Sequence, residues 1–311
     1  MNLAEEREKQ WPALPSSWKD TCATLHMWTQ MVGKVRLALT PLVNHWWNVP
    51  LYVNARGLTT SPIAYLGSSF ELTFDFVKHE LELQVTDREP MSIALRSVPV
   101  AEFYRQFTEM LSDALIEVRI WPMPVEIPNP IPFDEDRVHK IYDPAAAKHF
   151  WRILLSTQVV FDDFRSRFIG KCSPVHFFWG SFDLAVTRYS GRRAPDRPGA
   201  DRITREAYSH EVSSVGFWPG NAGTPADPIF YSYTSPEPAG FRQALVQPEG
   251  AVYDTPLGEF VLPYELVRNS TLPGAVLLDF CQSTYEAGAS LGQWDRESLE
   301  RRHTRVLDKT A

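Results

Sequence analysis

The sequence predicts a mixed α/β protein of the α+β type, with antiparallel sheets, packed helices and two similar halves ordered helix, strands, helix. Three observations carry this. Alternating runs cluster together instead of interleaving regularly with helices; the helix, strands, helix order occurs twice; and a proline-rich stretch separates the two occurrences. The 311 residues are 44% hydrophobic and 13% aromatic, enough to offset the entropy of ordering a sizeable core.

The first helix begins after Ser17, read as its N-cap with Asp20 three residues on, and Trp18, Cys22, Leu25, Trp28, Val32 and Val35 recur at helical spacing. After His45-Trp46-Trp47, residues 51–56 alternate as a half-buried strand that Gly57 ends. Residues 70–76 and 81–85 alternate on either side of Lys78-His79 and predict a hairpin. Val100, Phe103, Phe107, Met110 and Leu111 mark a helix entered through Pro99, and residues 117–121 read as a further strand. Five prolines between 122 and 132 forbid a helix or a central strand, so the boundary between halves is placed there.

Asp143-Pro144 opens the second half as an N-cap followed by proline at the first helical position, and a long helix follows through Phe150, Leu154, Phe161 and Phe168. Strands are expected at 183–191, 211–217 and 229–233, with a last helix through Leu277, Cys281, Tyr285 and Leu291. Residues 191–201, 219–228 and 236–256 read as irregular surface chain. The halves span 11–132 and 133–295, sharing one core or a tight interface, with 1–10 and 296–311 as flexible termini.

A net charge of −7, with basic residues dispersed, argues against nucleic acid or an anionic membrane as partner. No apolar run approaches the ~20 residues that span a bilayer, and the opening MNLAEEREKQW is not a secretory signal. The isolated Cys22, Cys172 and Cys281 read as reduced core thiols, so a soluble cytoplasmic protein is expected.

No nucleophile elbow, phosphate loop, dinucleotide fingerprint or paired CxxC is present, which leaves sites assembled from separate strands. Residues 168–188 set Lys171, His176, Trp179, Asp183 and Arg188 among aromatic side chains; Asp183 and Arg188 fall on opposite faces of an ideal strand. Residues 206–218 add Glu206, His210 and Glu211. His176, Asp183, His210 and Glu211 are the candidate catalytic groups, with His176 or His210 as general base in a hydrolytic reading. Asn54, Arg56, Lys171, Trp179 and Arg188, with Arg36, are candidates for holding an anionic small molecule in a cleft between the halves. A metal held by His45, His176 and His210 with a carboxylate is the weaker option, no metal residue is assigned, and the cofactor is unknown. Against all of these stands the plain alternative of histidines and arginines satisfied within the core or solvated at its surface.

Five segments, WPALPSSWKDTCATLHMWTQMVGKVRLAL, NVPLYVNARGLTTSPI, RIWPMPVEIPNPIPFDEDR, FRSRFIGKCSPVHFFWGSFDLAVTR and EAYSHEVSSVGFWPG, together resemble a bacterial family, domain of unknown function 5996. The resemblance runs from Trp11 to about Trp294 and implies no assigned activity, substrate or catalytic residue. The sequence thus supports a small-molecule-binding protein or enzyme of unknown reaction, with an interaction module presenting residues 121–133 and 217–238 as the alternative.

Overall fold

A computed structural model describes residues 3–220 and 227–301. In chain order its elements are α1 (Leu3–Gln10), α2 (Trp18–Leu39), β1 (Tyr52–Val53), β2 (Gly57–Thr59), β3 (Ile63–Tyr65), β4 (Ser68–Asp75), β5 (Glu80–Val85), β6 (Met91–Ala94), α3 (Val100–Asp113) and α4 (Pro144–Ser166). Then come β7 (His176–Phe178), β8 (Asp183–Arg193), α5 (Arg202–Ala207), β9 (His210–Trp218), β10 (Ile229–Ser235), β11 (Val252–Asp254), β12 (Glu259–Pro263), α6 (Tyr264–Asn269), α7 (Pro273–Leu291) and α8 (Arg296–Leu299). This is an α+β fold with two antiparallel sheets, as the patterning predicts.

The first sheet runs β1-β2-β4-β5-β6, with β3 pairing β4; the second runs β11-β12-β10-β9-β8-β7. Their edges meet. Leu51 and Phe177 exchange backbone hydrogen bonds of 2.9 Å in both directions, so the edge of β1 is stitched to β7. Leu51, Phe177, Leu25, Trp28, Phe150 and Phe217, drawn from both halves, are fully enclosed members of one continuous apolar cluster. Each side chain of that size contributes roughly 1.5–3 kcal/mol by leaving water.

The helix starts are tied together. Asp143 caps α4, its carboxylate accepting from the amides of Ala145 and Ala146. Ser17 does not cap α2. Its hydroxyl donates instead to Asp143 Oδ2 at 2.6 Å, and the Asp143 amide donates to Thr21 Oγ1 at 3.0 Å. A tertiary carboxylate thus outcompetes the local capping bond expected of Ser17.

Two other expectations fail for physical reasons. Residues 117–121 form no strand: the Glu117 amide bonds the Tyr65 hydroxyl, and the prolines that follow deny ladder donors. The extended segment is pinned to α2, where the Gln30 amide both donates to Val125 O and accepts from Val125 N at 2.8 Å. Gly57, read as ending a strand, opens β2, because Asn54 folds residues 54–57 into a turn by accepting from the amides of Arg56 and Gly57. The stretches 1–10 and 296–301 include α1 and α8; Gln10 O accepts from Ser156 Oγ at 2.6 Å, and Phe168 bridges Glu300. Residues 221–226, part of the irregular stretch at 219–228, lie outside the described residues, as do 1–2 and 302–311.

Candidate functional site

Alternation along β8 sorts its side chains onto two faces. Arg188 faces the helices, its guanidinium 3.4 Å above the Phe164 ring of α4 and 4.2 Å from the Tyr285 ring of α7. Tyr189 faces the other way, toward His45, with ring centroids 4.6 Å apart. Asp183 shares this open face, since Ala185 two residues on sits opposite both His176 of β7 and Gly216 of β9, and Tyr231 of β10 lies over Gly216. The sequence-derived placement of Asp183 and Arg188 on opposite faces is what the sheet shows.

At the stitched edge this face carries a basic, aromatic cluster. His45 lies in a 3-10 turn (Asn44–Trp46), and both His45 and Trp46 adopt left-handed backbone at φ 58° and 60°. Two consecutive bulky residues in that region store strain that the surroundings must hold. The His45 Nδ1–H donates to the carbonyls of Glu206 and Ala207 at 3.1 and 3.2 Å, which close α5. That fixes the tautomer, so Nε2 offers its lone pair to Lys171 Nζ, 2.5 Å away. The Lys171 ammonium lies 4.9 Å from the Tyr189 ring and 5.4 Å from Trp47, and the ring of His210, at the start of β9, is 5.5 Å from that of His45. His176 stands edge-on to Trp47 and Tyr52, and the Arg36 guanidinium lies 5.3 Å from the Tyr52 ring while donating to Thr60 O.

No carboxylate pairs with Lys171, Arg36, His45, His176 or His210 among the described residues. The titration of the cluster reflects this. Burial lowers Lys171; burial and then Lys171 lower His45; burial, Lys171 and Arg193 lower His210. Burial, with Arg36 and Arg165 adding to it, pushes His176 down to about 3. His176 is fully enclosed and neither ring nitrogen has a hydrogen-bond partner among the described residues, an arrangement that costs about 1–3 kcal/mol. Lys171, His210 and Trp47 are only half-buried, so the cluster is open to solvent.

Farther along the open face the charge reverses. Asp183 is buried and accepts from the hydroxyls of Ser181 and Tyr231; burial outweighs these bonds and raises its carboxyl. Glu259 on β12 is pushed up to about 7 by burial, then by Asp183 and Asp254.

The remaining candidates stand elsewhere. Glu211 points to the helix side of β9 and pairs with Arg192 at 2.6 Å while accepting from Ser190 Oγ. Arg56 pairs with Asp75 beside the Asn54 turn. Trp179 donates to Val49 O at 3.0 Å and packs on Gly33, where a Cβ would lie 2.2 Å from its ring. No group of three or more histidine, cysteine or acidic side chains among the described residues is arranged to hold a metal. Of the aromatic residues read as a partner surface, Trp121 is exposed while Phe133, Phe217 and Phe230 are buried. Tyr189 and Glu259 escape sequence reasoning, since neither belongs to a motif and only strand register brings them to this face. A concavity of about 620 Å³ between α4 and the start of α7 is walled mostly by apolar and small side chains, with Arg152 as its single titratable group.

An α+β architecture with a basic aromatic cluster at the meeting edge of two antiparallel sheets defines the class. The chain belongs to a family of unknown function, DUF5996, whose model matches residues 11–301. No curated protein and no solved structure matches it. No helix among the described residues is long and apolar enough to cross a membrane.

Proposed function

We propose that this protein binds a small anionic molecule, carboxylate- or phosphate-bearing, at the stitched edge between its sheets. One observation carries the reading: Lys171, His45 and His210 converge beside Trp47 and Tyr189 with no carboxylate among the described residues to balance them. A partly desolvated cation without a counter-ion costs free energy that an anionic ligand offsets on binding. Aromatic walls suit a ligand with an apolar body, and Asp183 and Glu259 at the far end of the same face suit a polar or cationic tail.

Within this reading His210 is the imidazole placed to exchange a proton with the ligand, because it is half-exposed, whereas His176 is sealed. Three free thiols support a reducing, cytoplasmic setting, and the repeated helix, antiparallel sheet, helix order supports a divergent duplication. Native mass spectrometry of protein purified without added anions tests the proposal. A retained organic anion, absent from Lys171→Met, is the expected result. A bare mass together with no binding of succinate, sulfate or aromatic carboxylates at millimolar concentration would remove it.

A further inference from the structure

The strand that carries Tyr189 is broken by a bulge. Tyr189 of β8 lies opposite Val212 of β9 and Arg193 opposite His210, so residues 190–192 of β8 face the single residue Glu211. Gly191, at φ 87°, supplies the left-handed backbone that the excess chain requires. The helix side of the bulge is pinned. Ser190 Oγ accepts from the Arg192 amide and donates to Glu211, while the Arg192 guanidinium bonds Glu211 and the carbonyls of Gly292 and Gln293. Arg192 is thereby spent on the helix side. Directly opposed residues of an antiparallel pair carry their side chains on one face, so Arg193 joins His210 on the open face. There the His210 ring is 5.5 Å from that of His45, which in turn faces Lys171. Arg193 is exposed and has no ion pair among the described residues.

Resting on the anion-binding reading above, we infer that this site takes a phosphate monoester in preference to a carboxylate, and that Arg193 is the residue that selects it. A carboxylate offers one charge and two oxygens in a plane. A phosphomonoester dianion offers three terminal oxygens on three sides, which suits a guanidinium from β8, an ammonium from the segment before β7 and an imidazole from β9. The Ser209 hydroxyl donates to Glu206 O at 2.8 Å, so at 3.1 Å from His210 Nδ1 it accepts, and His210 Nε2 keeps its lone pair. That nitrogen can hold the last proton of the phosphate, which titrates close to an imidazole. Burial, then Lys171 and Arg193, lower His210, which places both cations within electrostatic reach of its ring.

Titration calorimetry of the whole protein at pH 7.5 compares phenyl phosphate with benzoate, which share a ring and differ in the head group. Phenyl phosphate should bind at least ~10-fold tighter, and Arg193→Gln, a change at an exposed position, should weaken it ~10-fold while moving benzoate less than ~3-fold. Arg137→Gln removes the same charge from an exposed position beside α3 and should leave both affinities unchanged. Equal affinity for the two ligands, an equal loss of both in Arg193→Gln, or the same loss of phenyl phosphate in Arg137→Gln would overturn the inference and leave an anion site in place. No binding of either ligand would remove that site and the inference with it.

Discussion

The Nζ of Lys171 and the Nε2 of His45 lie 2.5 Å apart, a cation facing the lone pair of an imidazole whose other nitrogen is committed to the backbone of α5. Neither has a carboxylate partner among the described residues. The pair exists because residue 171, leading from α4 toward β7, and the strained turn at His45 are brought to one edge by the Leu51–Phe177 bridge.

Lys171→Met keeps much of the packing against Trp47 and Tyr189 while removing the charge. Histidine titration followed by NMR should show His45 and His210 rising toward their ordinary value, because Lys171 is among the causes that lower each. Stability should change by less than ~1 kcal/mol, since an unpaired, half-buried charge contributes little. Unmoved histidines would mean that Lys171 does not face them in solution.

Acid stability follows from two enclosed histidines. Burial pushes His26 down to about 4 and His176 to about 3, so both are neutral in the fold and bind a proton on unfolding below the ordinary value of 6.5. Their contribution is complete above pH 6.5 and is lost as pH falls toward 4 and then 3, by up to ~1.4 kcal/mol per pH unit per histidine. His176→Phe should flatten that acid branch and leave stability at pH 7 equal or higher, measured by urea unfolding from pH 3.5 to 7. A steeper acid branch would contradict the burial of His176.

Arg188 is fully enclosed; it donates to the Phe164 carbonyl near the C-terminus of α4, while its Nε and Nη1 have no partner among the described residues. Its role is to fill space and satisfy that helix end. Arg188→Ala should cost about 3–5 kcal/mol, and Arg188→Met less than half of that, because methionine refills the volume without a buried charge. Equal losses in the two variants, by denaturant titration, would assign the contribution to charge.

Gly33 and Trp179 lock α2 to the β7–β8 turn. A Cβ at residue 33 would fall 2.2 Å from the indole, so Gly33→Ala should destabilise by about 1–3 kcal/mol despite alanine's better helix propensity. A stabilised variant in thermal unfolding would show that the indole moves freely.

Much of this architecture is written locally. The spacing of Trp18, Leu25 and Trp28, the Asp143-Pro144 start and the alternation through Phe70 to Val85 each give their element without tertiary help, and alternation alone separates Asp183 from Arg188. Residues 117–121 and Ser17 mislead because distant partners, the Tyr65 hydroxyl and Asp143, claim the groups that local rules assign elsewhere. The candidate site is legible as residue types: Lys171, His176, His210, and His45 and Arg36 as weaker members. Their convergence is not, since it depends on a two-residue strand meeting β7 at Leu51. Glu211 and Arg56 pair with nearby counter-charges, Arg192 and Asp75, that a sequence cannot match to them.

The most direct test of the anion site is titration calorimetry with sulfate and succinate at pH 7, in buffers of different ionisation enthalpy. An anion beside Lys171 reverses the influences that lower His45 and His210, so binding should draw a fractional proton from solution, and both binding and uptake should vanish in Lys171→Met. No binding to the native chain, or binding that takes up no proton and survives Lys171→Met, would contradict the account.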